Sequence, residues 1–343
     1  MSILITIIGF GIMIFLHELG HFIAAKRFGV LVHEFSIGMG PKLFSRKSGE
    51  TQYSVRLFPI GGYVKLEGET QTEEEQDANN PRSFINLTPI KRIIILAAGA
   101  FMNVLLGFII FTIINMNTGV TPSKVYSVPE EFSQSSSYFQ PGDELVKLDN
   151  TRVHTFNDVA LFMSRCNKDE ISVTLRRDGK VIVYDNFKPL ETKYGRMLGI
   201  SFGRQEASIL KSAEFAVYDT VYITKAVFFA IGDLFTGKAP VSSLSGPVEI
   251  VSVVGDVASV KDEYTYLNIL MLFAMITVNL GVFNLLPFPA LDGGSIIFAL
   301  YELITRKKVK NEIIGYATTI GFVLLMVLAV FVTAGDVIDL VKK

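Results

Sequence analysis

Four apolar runs punctuate the chain, at residues 3–25, 93–114, 267–286 and 314–332. Each is close to the roughly 20 residues an α-helix needs to cross a bilayer core of about 30 Å. The polar segments between them differ in kind. Residues 26–92 are rich in Lys and Arg, and Arg306-Lys307-Lys308-Val309-Lys310 forms a second basic stretch. The positive-inside rule assigns both to the cytoplasm. The N-terminus, the central region and the C-terminus then belong on the opposite face. The first run lacks a basic leader and an A-x-A site and carries charges late, so it is expected to stay in the mature protein.

Shorter periodicities fill the connections. Tyr53-Ser54-Val55-Arg56-Leu57 alternates, Pro59-Ile60-Gly61-Gly62 reads as a turn, and Tyr63-Val64-Lys65-Leu66 follows. This predicts a β-hairpin over about 50–66, either an ordinary cytoplasmic hairpin or one whose edge pairs with an extended substrate. Glu67 to Asp77 is an acidic run, read as a solvated linker. From 124 to 190 the composition turns soluble. Pro141 to Val159 reads as turn, strand, tight turn, strand and helix cap, and Ile171 to Val181 as a strand entering an Asp-Gly turn. This stretch resembles a PDZ domain, although no Gly-Leu-Gly-Phe loop is visible. His154 within it has no neighbouring ligands and is read as structural. Segment 209–235 is apolar toward its end yet carries Glu214, Asp219, Lys225 and Asp233. We expect an amphipathic helix on the membrane surface or against the bundle.

Composition narrows the function. The chain has 343 residues, net charge −1 and 50% hydrophobic residues, with a mean hydropathy of +0.41. The near-balanced charge gives no sign of a nucleic-acid partner. The single Cys166 excludes an intrachain disulfide framework and a multi-cysteine zinc site.

The chemistry concentrates in the first run, at His17-Glu18-Leu19-Gly20-His21. Ionisable groups inside an apolar span are costly and by default mark function. Two imidazoles at i and i+4, about 40° apart on a helix and with a carboxylate between them, form the zinc-protease arrangement: two ligands and a general base. The third run ends in Asn284-Leu285-Leu286-Pro287-Phe288-Pro289-Ala290-Leu291-Asp292-Gly293-Gly294. Its prolines and glycines break the helix where an Asp would need a partner. Asp292 is either a third zinc ligand or a helix cap in a cytoplasmic turn. In the second run, Ala97-Ala98-Gly99-Ala100 and Asn103 read mainly as helix packing. A crossing at 209–235 would carry Asp292 to the face opposite His17 and His21.

Taken together, His17 to His21, Phe58 to Lys65, Leu244-Ser245-Gly246-Pro247 and Asn284 to Gly294 resemble the site-2 protease family of intramembrane zinc metalloproteases, in particular its bacterial RseP-type members. The resemblance implies one Zn2+ per chain held by His17, His21 and Asp292, with Glu18 as catalytic acid/base. It implies that 53–66 belongs to a membrane-reentrant β-loop presenting substrate, which makes Tyr53, Val55, Leu57, Gly61 and Gly62 candidate substrate contacts. Asn284 matches a residue that holds substrate backbone near the metal. The implied substrates are single-span membrane proteins, cut in regulated intramembrane proteolysis within the bacterial inner membrane. The active site would face the cytoplasm, with the PDZ-like region outside as a candidate peptide contact. Two departures stand out: Ala100 where relatives usually have Pro, and room for one PDZ-like domain rather than two.

The expected architecture is thus an α-helical polytopic membrane protein of about four transmembrane helices, with a membrane-associated β-hairpin loop and an inserted α+β PDZ-like domain. Its parts are a membrane core over 1–122 and 247–343, the PDZ-like domain over 123–192, and a linker with an amphipathic helix over 193–246. A non-proteolytic PDZ-containing scaffold with structural zinc, and a metal transporter, are the competing readings. The transporter needs polar residues along a path, and 314–332 offers almost none.

Overall fold

The computed structural model describes residues 2–69, 80–193, 195–241, 244–260 and 262–342. Most of the acidic run, residues 70–77, lies outside them. The chain divides into two compact units, Met1–Gly107 with Phe229–Lys343, and Phe108–Phe228.

The first unit opens with helix α1 (Ser2–Arg27). Two long strands follow, β1 (Val32–Ser48) and β2 (Thr51–Leu66), and then α2 (Pro89–Thr118), whose last turns enter the second unit. The sheet begins earlier than the expected 50–66, and its tight turn falls at Gly49-Glu50. Residues 59–62 remain in strand conformation as a bend. The bend lets β2 pair with β1 twice: Phe35 faces both Tyr53 and Val64, and Ile37 faces both Val55 and Gly62. The resulting order is 42–48, 51–56, 34–37, 62–66, so among the described residues 62–66 is an edge. Gly38, at φ +83°, makes the curl feasible, because a Cβ there would sit 2.5 Å from Phe58 O.

A polar knot braces the sheet. Glu34 accepts from Ser54, from Arg56 at 3.0 Å and from Lys42 at 3.3 Å. Burial pushes the Glu34 carboxyl up, but bonds from Ser54, Tyr63, Arg56 and Lys42 outweigh it and hold the group down at about 2. Its folded-state value lies below the ordinary 4.5. The stabilisation is therefore complete above 4.5 and fades as pH falls toward 2. Between pH 6 and pH 3 the thermal midpoint of the wild type should fall further than that of Glu34→Gln; equal slopes would dismiss the knot as a pH-linked brace.

The second unit holds β3 (Val125–Ser127), β4 (Glu144–Leu148), β5 (Thr151–Arg152), α3 (Phe156–Arg165), β6 (Ile171–Arg177), β7 (Lys180–Phe187), β8 (Leu190–Thr192), β9 (Gly195–Met197) and β10 (Ser201–Phe202). A four-stranded antiparallel sheet runs β5-β4-β6-β7. The local signals read from sequence appear where expected. Asp149 and Asp178 take positive φ in the two turns, and Thr155 with Asp158 forms a capping box on α3. Leu145, Leu148, Val173, Leu175 and Phe187 build the core against Val159 and Met163 of α3.

Helix α4 (Ile209–Phe235) leads back to the first unit, which continues with α5 (Pro247–Ser259), α6 (Thr265–Asn284), α7 (Asp292–Thr305) and α8 (Asn311–Lys342). By length and composition five helices can cross a membrane: α1, α2, α4, α6 and α8 through Ile338. That is one more than the four expected, and the addition is α4. The chain is a polytopic membrane protein with an inserted β-containing region.

Candidate metal centre

One turn of α1 separates His17 from His21, and their Nε2 atoms lie 3.1 Å apart. Each Nε2 is 3.3 Å from Asp292 Oδ2. These three side chains form a ligand-competent cluster with donor atoms within 4.8 Å of one another. Asp292 is the first residue of α7, but the helix N-cap is Leu291 and no side-chain capping bond is made. The carboxylate turns toward the histidines instead. Its Oδ2 is buried and, among the described residues, receives no hydrogen bond. A buried carboxylate oxygen without a donor is costly unless a cation compensates it.

The backbone explains how Asp292 gets there. After α6 the chain makes tight turns, with Phe288 N–H donating to Leu286 O at 2.7 Å and Leu291 N–H to Phe288 O at 2.9 Å. Gly293 and Gly294 press against the carbonyls of Leu286 and Phe288, where any Cβ would collide. The Gly-Gly pair thus permits the start of α7 to pack against the connection from α6, with Asp292 facing the histidines.

Helix α2 supports the histidines. His21 Nδ1 bonds Ile95 O at 2.8 Å. A carbonyl can only accept, so Nδ1 carries the proton and the Nε2 lone pair is available. Gly99 faces both rings, and a Cβ there would collide with His21 Nε2 and lie 2.8 Å from His17 Cε1. Gly99→Ala should therefore displace the imidazoles and weaken metal binding by about 10-fold or more, given the roughly 1–3 kcal/mol cost of overpacking. Chelator competition on the purified protein reads this, and wild-type affinity would refute the contact.

A cavity of about 490 Å³ opens beside the cluster, lined by His17, Glu18, His21, Asp292, Ile95, Leu96 and the sheet edge Tyr63 to Leu66, with Glu69 at its end. Gly62 packs on Glu18, since a Cβ there would be 3.2 Å from Glu18 Cγ. The Val64 amide faces the Glu18 carboxylate, and the Leu66 amide meets Glu69 at 3.4 Å. Carboxylates therefore face successive outward amides of the edge strand.

Of the sequence-derived candidates, the structure gathers His17, Glu18, His21 and Asp292 into one cavity and brings Gly62 against it. Tyr53 and Val55 lie on the inner strand paired on both sides, and Tyr53 stacks near Phe22 and Phe35. Leu57 precedes the bend and Gly61 lies in it, and Asn284 ends α6; none of these lines the cavity. Sequence reasoning missed Gly99 as a site residue and, although it took 53–66 as the substrate-presenting loop, named none of Tyr63 to Leu66 as a candidate. The small-residue patch around Gly99 was the available signal for the first.

Comparison with known proteins places this geometry in context. Residues 5–328 match the model of Peptidase family M50. A Clostridium acetobutylicum protein bearing a zinc metalloprotease name is 38% identical over 341 residues, covering 98% of this chain and 97% of the relative. The zinc metalloprotease RasP of Geobacillus kaustophilus is 28% identical, covering 98% and 97%. The regulator of sigma-W protease RasP of Bacillus subtilis is 26% identical, covering 98% of each chain.

Proposed function

This chain belongs to peptidase family M50 and is a zinc metalloprotease, and from that premise we propose that it cleaves single-span membrane proteins in or near their transmembrane segments, using His17, His21 and Asp292 as zinc ligands and Glu18 as acid/base. The observation that carries the assignment is the convergence of two imidazole Nε2 atoms on one buried carboxylate oxygen, each at 3.3 Å. Two neutral nitrogens and one carboxylate oxygen are a donor set of the type catalytic zinc takes, with three protein ligands. When bound, zinc supplies Lewis acidity and a water acidic enough to ionise near neutral pH.

The remaining roles fall to the chain. Glu18 shares the cavity with the ligands and is placed to accept the water proton and return it to the leaving amine. The edge 62–66 pairs with the sheet on one side only among the described residues. Its outward amides, met by carboxylates at Val64 and Leu66, would bond the carbonyls of an extended substrate. A transmembrane helix must unwind before it can pair in this way.

Topology supports the same reading. Ser2 lies 3.5 Å from a Cβ placed on Gly255, and Asp336 accepts from the amides of Gly246, Val248 and Glu249. Segment 246–255 therefore sits at the α1 N-terminal end of its unit. Helix α2 runs toward that end, from Ile95 at His21 to Asn103 at His17. The chain thus leaves the unit after Gly107 and reaches Gly246 on the same side of it, which favours four crossings, with α4 adding no fifth. The basic loops put the ligands nearer the cytoplasm and the inserted domain, which we read as PDZ-like and peptide-contacting, outside. On this reading the protein works in regulated intramembrane proteolysis in a bacterial inner membrane.

The test is cleavage of single-span substrates in proteoliposomes. Activity should vanish with a zinc chelator and return on adding zinc. Cleavage indifferent to chelator would reject the assignment, and a protein that binds zinc but cuts none of a broad substrate set would favour the scaffold.

A further inference from the structure

We infer that Asn103 is a positioning residue of the metal centre, its side-chain oxygen holding His17 by the Nδ1 proton so that Nε2 faces the ligand cluster. The inference rests on the reading of His17, His21 and Asp292 as zinc ligands. His21 shows the requirement: Ile95 O fixes its Nδ1 at 2.8 Å and leaves Nε2 to the cluster. His17 needs an equivalent acceptor, because an imidazole protonated at Nε2 cannot ligate through that atom.

The group facing His17 Nδ1 is the side-chain amide of Asn103, 3.4 Å away. Asn103 is fully buried, at 0% exposure. With Nδ2 toward His17, Nδ1 must accept, which leaves the ring proton on Nε2 where it blocks ligation, and Asn103 Oδ1 is left buried with no partner among the described residues. A half-turn of the amide removes both consequences at once. It sets Oδ1 on the Nδ1 proton of His17 and removes the orphaned acceptor.

The residue is held for this task from its other side. Thr277 Oγ1 of α6 donates to Asn103 O at 3.3 Å. Gly281 comes close enough that an added Cβ would lie 3.3 Å from Asn103 Cβ. Asn103 is therefore wedged between the helix carrying His17 and the helix that leads to Asp292. A packing role alone would explain the burial but not the aim of the amide at a ligand nitrogen.

The test uses the full-length protein in lipid nanodiscs, with zinc affinity measured by chelator competition and the ligand field read from the absorption spectrum of the Co2+-substituted form. Asn103→Leu should weaken zinc binding about 10–100-fold, the usual cost of losing such a partner, and shift the Co2+ bands. Asn103→Asp, which keeps an acceptor, should stay within a few-fold of wild type with an unshifted spectrum. Nitrogen NMR of the zinc-loaded wild type should find His17 protonated at Nδ1, a readout that needs no variant to fold. An unprotonated Nδ1, or wild-type zinc affinity in a folded Asn103→Leu, overturns the inference. His17→Ala separates it from its premise. If that protein binds zinc like the wild type, the ligand assignment fails and takes the inference with it. If it loses zinc while Asn103→Leu does not, only the role of Asn103 falls.

Discussion

Replacing Glu18 by Gln should leave zinc in place and reduce cleavage by about 10³-fold or more, within the range lost when a positioned proton-transfer group is removed. The substitution nearly preserves shape. Gln fits beside Gly62, where the backbone already approaches the side chain closely, and it does not touch the three ligand atoms, which come from His17, His21 and Asp292. What it removes is basicity. An amide cannot take the proton released when water attacks the peptide, nor protonate the amine that leaves. Its amide oxygen can still face the Val64 amide. The measurement is twofold: zinc content of the purified variant, and cleavage of a single-span substrate in proteoliposomes. Full zinc with cleavage near background supports the role. Cleavage at the wild-type level would remove Glu18 from the reaction, and with it the reading of the motif as a protease site.

The chemistry of this chain was more legible in sequence than its architecture, for a physical reason. His17, Glu18 and His21 are local: helical spacing alone sets their geometry. Asp292 is distant in sequence, yet the Pro and Gly residues around it announced a broken helix, and charge parity put it on the matching face. Gly99 was harder to see. Its requirement arises where one helix presses on another, at His17 and His21, and no periodicity within α2 encodes that contact. Strand pairing is equally non-local. The alternation at 53–57 identified a strand, but only the double pairing of 34–37 makes 62–66 the edge that lines the cavity. The fifth apolar helix shows the opposite limit. Composition qualifies α4 as a span, whereas the placement of Gly246 and Gly255 at the Ser2 end constrains its net course.

Asp292→Ala should abolish stoichiometric zinc binding, with affinity falling by more than about 100-fold, since loss of a direct ligand exceeds the 10–100-fold effect of losing an outer partner. Its effect on stability separates a ligand from a helix cap. A capping carboxylate stabilises its helix whether or not zinc is present, and its removal costs about 1 kcal/mol. In this structure Asp292 makes no capping bond, and its Oδ2 faces the Nε2 atoms of His17 and His21 at 3.3 Å. Without metal those imidazoles are its partners, so the alanine variant should melt somewhat below the metal-free wild type. Zinc should widen that gap. The wild type gains stability as RT ln(1 + [Zn]/Kd), about 2.7 kcal/mol at a hundredfold excess over Kd, while the variant stays indifferent. Thermal midpoints of both proteins, with zinc and with chelator, provide the four values needed. If neither midpoint moves with zinc, Asp292 is a structural group and not a ligand. If the variant's midpoint rises with zinc as the wild type's does, the third ligand lies elsewhere. A gap that widens with zinc is the signature of a carboxylate placed for a cation.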